Sequence, residues 1–157
     1  YKGRFVMKRF FSKFFLMSML GVLSIHSAYA AGLEGLWLTQ NERSVIQIKT
    51  CEQGLCGHIY WIIDGGMQTD AKNPDEAKRN RSMCGLPILW GFEKESETEW
   101  EDGKIYKADD GDIYDANLEL LDDGTLKVRG YMGISLFGKS QIWTQAEAKD
   151  YPKCKAQ

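Results

Sequence analysis

Histidine is scarce in this chain, with two copies in 157 residues, and His26 lies in an N-terminal segment that does not read as part of the folded domain. That leaves His58 alone, so a metal site built on paired histidines has no second ligand. A serine or cysteine triad would have to use the same residue, which follows Cys56-Gly57 at the start of a strand-like segment, and no G-x-S-x-G occurs. His58 therefore reads as a partly exposed strand residue. After residue 30 no apolar run is long enough to span a bilayer.

Lys8, Arg9 and Lys13 precede an apolar run from Phe14 to Ile25 that ends at Ala28-Tyr29-Ala30. This is the pattern of a secretory signal peptide, with cleavage expected after Ala30. The run falls well short of the roughly twenty residues a spanning helix needs. The residues before Met7 have no signal-peptide character and are set aside with it, so the expected domain covers residues 31–157. Residues 1–30 carry five positive charges (Lys2, Arg4, Lys8, Arg9, Lys13) and no negative one, so their removal turns the net charge of −2 into −7. An acidic surface repels phosphate backbones and anionic headgroups, which makes nucleic acid and simple electrostatic membrane binding poor candidates. The expected location is the periplasm or the outside of the cell, with no integral membrane segment after cleavage.

Cys51, Cys56, Cys84 and Cys154 all lie beyond the signal segment. An oxidising compartment favours disulfides there, and four cysteines allow three connectivities. The spacer "EQGL" suits a bridge across a tight hairpin between Cys51 and Cys56, which would leave Cys84 with Cys154. A zinc site using all four thiolates is the competing reading, but neither pair has the two-residue spacer of a zinc knuckle.

The rest of the chain runs in short alternating segments separated by glycine and aspartate turns: "LEGLWLTQ", "SVIQIKTC", "CGHIYWII", "KIYKA", "DIYDANLEL", "TLKVRGYMGI" and "SQIWTQ". This predicts an all-β, small antiparallel β-barrel of seven or eight strands. Alternation sets Tyr114, Ala116, Leu118 and Leu120 on one face. It likewise sets Leu126, Val128, Gly130 and Met132 inward, beside Ile46, Ile48, Trp61, Leu118 and Ile142. Asp123-Gly124 is expected to form a two-residue hairpin turn. One long loop departs from the pattern, from Asp64 to about Leu86. Its Asn73-Pro74 suits a short helix over "PDEAKRN" with Pro74 at the first position. The bland reading of this loop is a lid over one end of the barrel.

"YKADDGDIYDAN" gathers four aspartates around Gly111. A calcium-binding EF-hand loop needs ligands one, three and five positions before its glycine and a glutamate six after. Here those positions hold Asp110, Ala108, Tyr106 and Asn117, so the stretch reads as a hairpin with Asp110-Gly111 in a two-residue turn. No metal or other cofactor is called for. Lys78, Arg79 and Arg81 could form an anion site, or simply the solvent side of a short helix. The aromatics, concentrated in strands, line a pocket or fill the core.

Asp70-Ala71-Lys72-Asn73-Pro74-Asp75, Gly103-Lys104-Ile105-Tyr106 and Arg129-Gly130-Tyr131, together with the strands around them, resemble the secreted bacterial family known as domain of unknown function 2147. The resemblance spans nearly all of the exported part and implies a lipocalin-like barrel; Gly35-Leu36-Trp37 is similar to the G-x-W that opens the first lipocalin strand. It also implies Trp-Thr-Arg at the end of the last strand, where this chain has Trp143-Thr144-Gln145. The arginine that would cover the first tryptophan is therefore missing unless Arg129 or Arg43 substitutes. The expectation is a barrel that binds a small apolar or amphipathic ligand, or an envelope partner, with Trp61, Asp70, Asn73, Asp75, Arg81, Tyr106, Arg129 and Tyr131 as candidate contacts. Two alternatives are a periplasmic hydrolase using Asp70, Asn73, Asp75 and Arg81, and a structural or inhibitory envelope protein with a solid core.

Overall fold

The computed structural model describes residues 32–156; the signal-peptide reading lies outside the described residues. Eight antiparallel strands, each hydrogen-bonded to its neighbours in sequence, close into a barrel when the last pairs with the first. They are β1 (Gly35–Leu38), β2 (Ser44–Cys51), β3 (Gly54–Ile62), β4 (Pro87–Lys94), β5 (Glu99–Lys107), β6 (Asp112–Leu120), β7 (Leu126–Tyr131) and β8 (Lys139–Ala146). Closure removes the exposed edges that an open sheet would present. Seven strands match the alternating segments. The eighth, β4, is the run "PILWGFEK", whose consecutive apolar residues hide the period of two.

One buried apolar core runs through the barrel. Trp37, Ile48, Phe92, Leu118, Leu126 and Trp143 are buried together in it, and Leu33 joins them from the segment before β1. The Trp37 indole N–H donates to the Leu33 carbonyl at 2.9 Å, which satisfies its only polar group. Arg129 does not take the place of the missing arginine: its guanidinium is engaged in the loop between β7 and β8. Among the described residues the cation–π contact lies elsewhere, between Arg81 and Tyr106.

Three residues expected to face inward do not. The pairing of β2 with β3 shifts between Val45 and Ile46, which oppose Trp61 and Ile59. The extra residue reverses the alternation, as a bulge does. Trp61 consequently stands outside the central cluster, edge-on to Tyr151 at 5.0 Å between ring centroids. In β8 the register places Trp143 opposite buried Leu126 and Ile142 opposite Lys127, so the tryptophan goes in and the isoleucine out. Met132 lies beyond the end of β7, exposed at the rim of the barrel mouth rather than within its core.

The turns are longer than expected. Lys107 pairs with Asp112, which leaves the four residues 108–111 as the loop, and the Gly111 amide bonds back to the Lys107 carbonyl at 2.8 Å. Gly111 has φ of +82°, and a Cβ there would collide with the Lys72 carbonyl of the long loop; glycine meets both demands. The stretch "LDDGTL" closes as a three-residue loop between Leu121 and Thr125. The long loop holds a three-residue 3-10 turn, Glu76–Lys78, rather than a longer helix. Asp75 caps it by accepting from the Ala77 amide, and Pro74 precedes the cap.

Candidate functional site

The loops after β1, β3, β5 and β7 lie at one end of the barrel. Between them lies a cavity of about 580 Å³, within the range of about 300–1,000 Å³ usual for small-molecule sites. Its wall includes Ile59, Ile62, Ile88, Ile105, Val128 and Trp143. Met67 and Met83 of the long loop line it as well, so that loop covers part of the mouth. Arg43, Lys107 and Lys139 bring positive charge to the lining and Asp109 one negative charge. Lys107 is paired with Asp110.

Gly130 stands in this wall. A Cβ added there would meet Ile105 Cγ2 at 3.5 Å and Tyr114 Cβ at 3.8 Å, ordinary contact distances. Backbone strain does not require the glycine, which leaves the space beside Ile105 open to the cavity.

Four of the candidate residues converge on one network. Asp70 is fully buried, and its carboxylate accepts from Tyr106 Oη at 2.5 Å, Asn73 Nδ2 at 2.8 Å and Arg81 Nε at 2.8 Å. Arg81 Nη2 lies 2.7 Å from the same carboxylate. Asn73 Nδ2 also reaches Tyr106 Oη at 3.2 Å, and its Oδ1 accepts the Asp75 amide at 2.9 Å. Burial first, then the Asp70 carboxylate, raises the Tyr106 hydroxyl pKa above its ordinary value. Each Asp70 oxygen is thus met by a donor, as a buried charge requires. This arrangement ties the long loop to β5 through groups 36 residues apart.

The other candidates are dispersed. Tyr131 lines the cavity, and its hydroxyl donates to Asn117 Oδ1 at 3.3 Å. Burial raises its pKa also. Asp75 caps the 3-10 turn at the surface. Trp61 packs on Tyr151, outside the cavity. Arg129 Nη2 donates to the Ser135 and Leu136 carbonyls at 2.6 and 3.2 Å, and its Nη1 to Ser140 Oγ at 3.0 Å. Sequence reasoning missed Met67, Met83 and Lys139 in the lining. The methionines fall in a loop without periodicity, and Lys139 is a charged residue on an inner face.

His58 is half-buried, and its Nδ1 has no hydrogen-bond partner among the described residues. Burial, then the Lys49 charge, lowers its pKa. Among the described residues no three histidine, cysteine, aspartate or glutamate side chains converge as a metal centre would need. The disulfides are Cys51–Cys56, across the β2–β3 hairpin, and Cys84–Cys154, which fastens the C-terminal segment to the long loop.

A closed eight-stranded antiparallel barrel with a cavity at one mouth is the lipocalin type of architecture. Residues 35–145 match the family described as "Uncharacterized protein conserved in bacteria (DUF2147)", and the chain belongs to it. Among solved structures it is similar to protein HP1028 from the human pathogen Helicobacter pylori, described as belonging to the lipocalin family. The two are 23% identical, with a TM-score of 0.68 over 75% of this chain and 85% of that one. At this identity the likeness speaks for the fold. No curated protein matches the sequence.

Proposed function

We propose that this chain is an exported carrier or receptor for one small amphiphile, held in the barrel with its apolar part against Ile105, Val128 and Trp143 and its polar end at the mouth. The observation that supports this reading is the 580 Å³ cavity with an apolar wall and an unfilled position at Gly130. Arg43 and Lys139 make no ion pair among the described residues, and both reach the lining. They favour an anionic head, such as a carboxylate or phosphate. In this reading Tyr106 and Tyr131 touch the ligand, while Asp70, Asn73 and Arg81 hold the long loop in place. Removal of residues 1–30 and residence in the periplasm or outside the cell belong to the same proposal; two disulfides are in keeping with an oxidising compartment.

Gly130→Leu tests it. The new side chain would occupy the space beside Ile105, so binding of a fluorescent fatty acid should fall at least tenfold. The fold should survive, with a stability change below the roughly 1–3 kcal/mol that overpacking of a solid core costs. A variant that binds the probe as the parent does would reject the cavity as the site. Loss of 2 kcal/mol or more, in a parent that binds nothing, would favour a filled interior on the same scale.

A further inference from the structure

The apolar side chains that the barrel leaves uncovered are concentrated in one loop. Among the described residues five large apolar side chains are more than half exposed, and four of them, Met132, Ile134, Leu136 and Phe137, lie between β7 and β8. Single exposed apolar side chains need no explanation, but a contiguous group does. The sequence from Met132 to Gly138, "MGISLFG", contains no charged residue.

Several backbone groups of this loop are met from within. The Ile134 amide bonds to the Met132 carbonyl, Phe137 to Ile134 and Gly138 to Ser135, at 3.0, 3.3 and 3.0 Å. Arg129 takes the Ser135 and Leu136 carbonyls from below, and its Nε lies 3.3 Å from Ser135 Oγ. A loop surrounded by water gains little from such provision. A segment entering an apolar medium requires it, because each unmet backbone group is costly there.

The patch continues into the cavity, since Met132 and Phe137 also belong to its lining. Lys139 and Arg43 stand beside it without carboxylate partners among the described residues, placed to meet lipid phosphates while the apolar residues enter below them. A protein partner fits less well. Four side chains offer far less than the roughly 1,000 Å² of a stable protein interface, and the loop carries no tryptophan, tyrosine or free arginine.

We propose that the β7–β8 loop is a membrane-contact tip. Ile134, Leu136 and Phe137 enter the boundary between headgroups and acyl chains of a leaflet and bring the cavity mouth onto the lipid surface. Exchange of the amphiphile with the bilayer then avoids passage through water. The inference rests on the carrier reading for its purpose, but its test is separate.

The full exported chain and its Ile134→Ser, Leu136→Ser double variant would be floated with vesicles of mixed phosphatidylethanolamine and phosphatidylglycerol. Both substituted residues are outside the cavity lining. The parent should associate with vesicles, and the variant about tenfold or more weakly, because two apolar side chains no longer enter the interface. Binding of a water-soluble short-chain fatty acid probe, measured without vesicles, should be equal in the two proteins. A parent that ignores vesicles, or a variant that floats equally well, overturns the tip while leaving the probe result to judge the cavity. Tip-dependent flotation without probe binding retains the tip and rejects the carrier. A parent that forms dimers, with a monomeric variant and no flotation, assigns the patch to a second copy and overturns the proposal.

Discussion

Two loops at the same barrel mouth meet their surroundings in opposite ways. The long loop between β3 and β4 is polar in sequence yet fixed from several directions. Asp70 ties it to β5, Thr69 bridges to Ser82 within it, and the Cys84–Cys154 disulfide fastens it to the C-terminal segment. The Cys154 amide in turn donates to the Tyr60 carbonyl of β3 at 2.8 Å. The β7–β8 loop is apolar in sequence yet exposed, and one side chain, Arg129, reaches up to hold it. Hydrophobicity alone would have exchanged the two. The difference lies in where the hydrogen bonds go: the first loop commits its polar groups to a fixed wall, while the second closes part of its own backbone, with Arg129, and leaves its apolar side chains free.

The contrast can be tested by loosening the fixed wall. Replacing Cys84 and Cys154 together by serine removes a link across a sequence separation of 70. On the chain-entropy account this should cost about 4 kcal/mol, the largest effect expected here. Urea denaturation of the double variant against the parent measures it, and a loss below about 1 kcal/mol would show that the strap contributes little beyond the barrel's own cohesion. Arg81→Met should come next. It leaves the Asp70 charge buried without its cation, which costs about 3–5 kcal/mol for a fully buried pair. Arg81 keeps 39% of its side chain exposed, so about 3 kcal/mol, the lower end, is expected. Hydrogen exchange should show the amides of Asp70 and Met83 exposed before those of β6.

Much of this architecture was legible because closed antiparallel sheets write a period of two into the chain. The alternation of "DIYDANLEL" appears in the structure as buried Ala116 and Leu118. The period fails where both neighbours are apolar: nothing local decides between Ile142 and Trp143, and the choice is made by the register with β7. It also fails across the bulge beside Trp61. The polar network was half legible, since Asp70, Asn73 and Arg81 stood out in one loop, but their tie to Tyr106 depends on a contact 36 residues away. The apolar tip was hidden for the opposite reason. Extending the β7 pattern past Tyr131 makes Met132 look like core, because alternation does not mark where a strand leaves the barrel.

Tyr106→Phe probes the same network more gently. The Asp70 Oδ1 loses the hydroxyl donor, an expected cost of about 1–3 kcal/mol at neutral pH. The raised pKa of Tyr106 gives the sign of a pH dependence. Its contribution is fully present below the ordinary tyrosine value of about 10 and is lost as pH rises through the higher folded value. The stability gap between parent and variant should therefore narrow above about pH 10. Tyr114 and Tyr131 are raised too, but they are common to both proteins and leave the difference unaffected. A gap constant through that range would mean that the Tyr106 hydroxyl does not sense Asp70.

The smallest effect is expected where the second loop is tied. Arg129→Gln removes the donors to the Ser135 and Leu136 carbonyls. Both carbonyls lie in an exposed loop that water can reach, so the cost is that of ordinary hydrogen bonds, about 1 kcal/mol, without the penalty of a stranded buried charge. The change should be local. Amides of Phe137 and Gly138, whose bonds close a 3-10 turn over Ser135–Phe137, should exchange faster, while those of β7 and β8 keep their protection. Vesicle association should weaken as well, because the freed carbonyls would have to be dehydrated on entering the interface. If Arg129→Gln instead destabilised the whole barrel as much as Arg81→Met, the β7–β8 loop would be part of the cooperative core, and the distinction between a fixed wall and a separately held tip would fail.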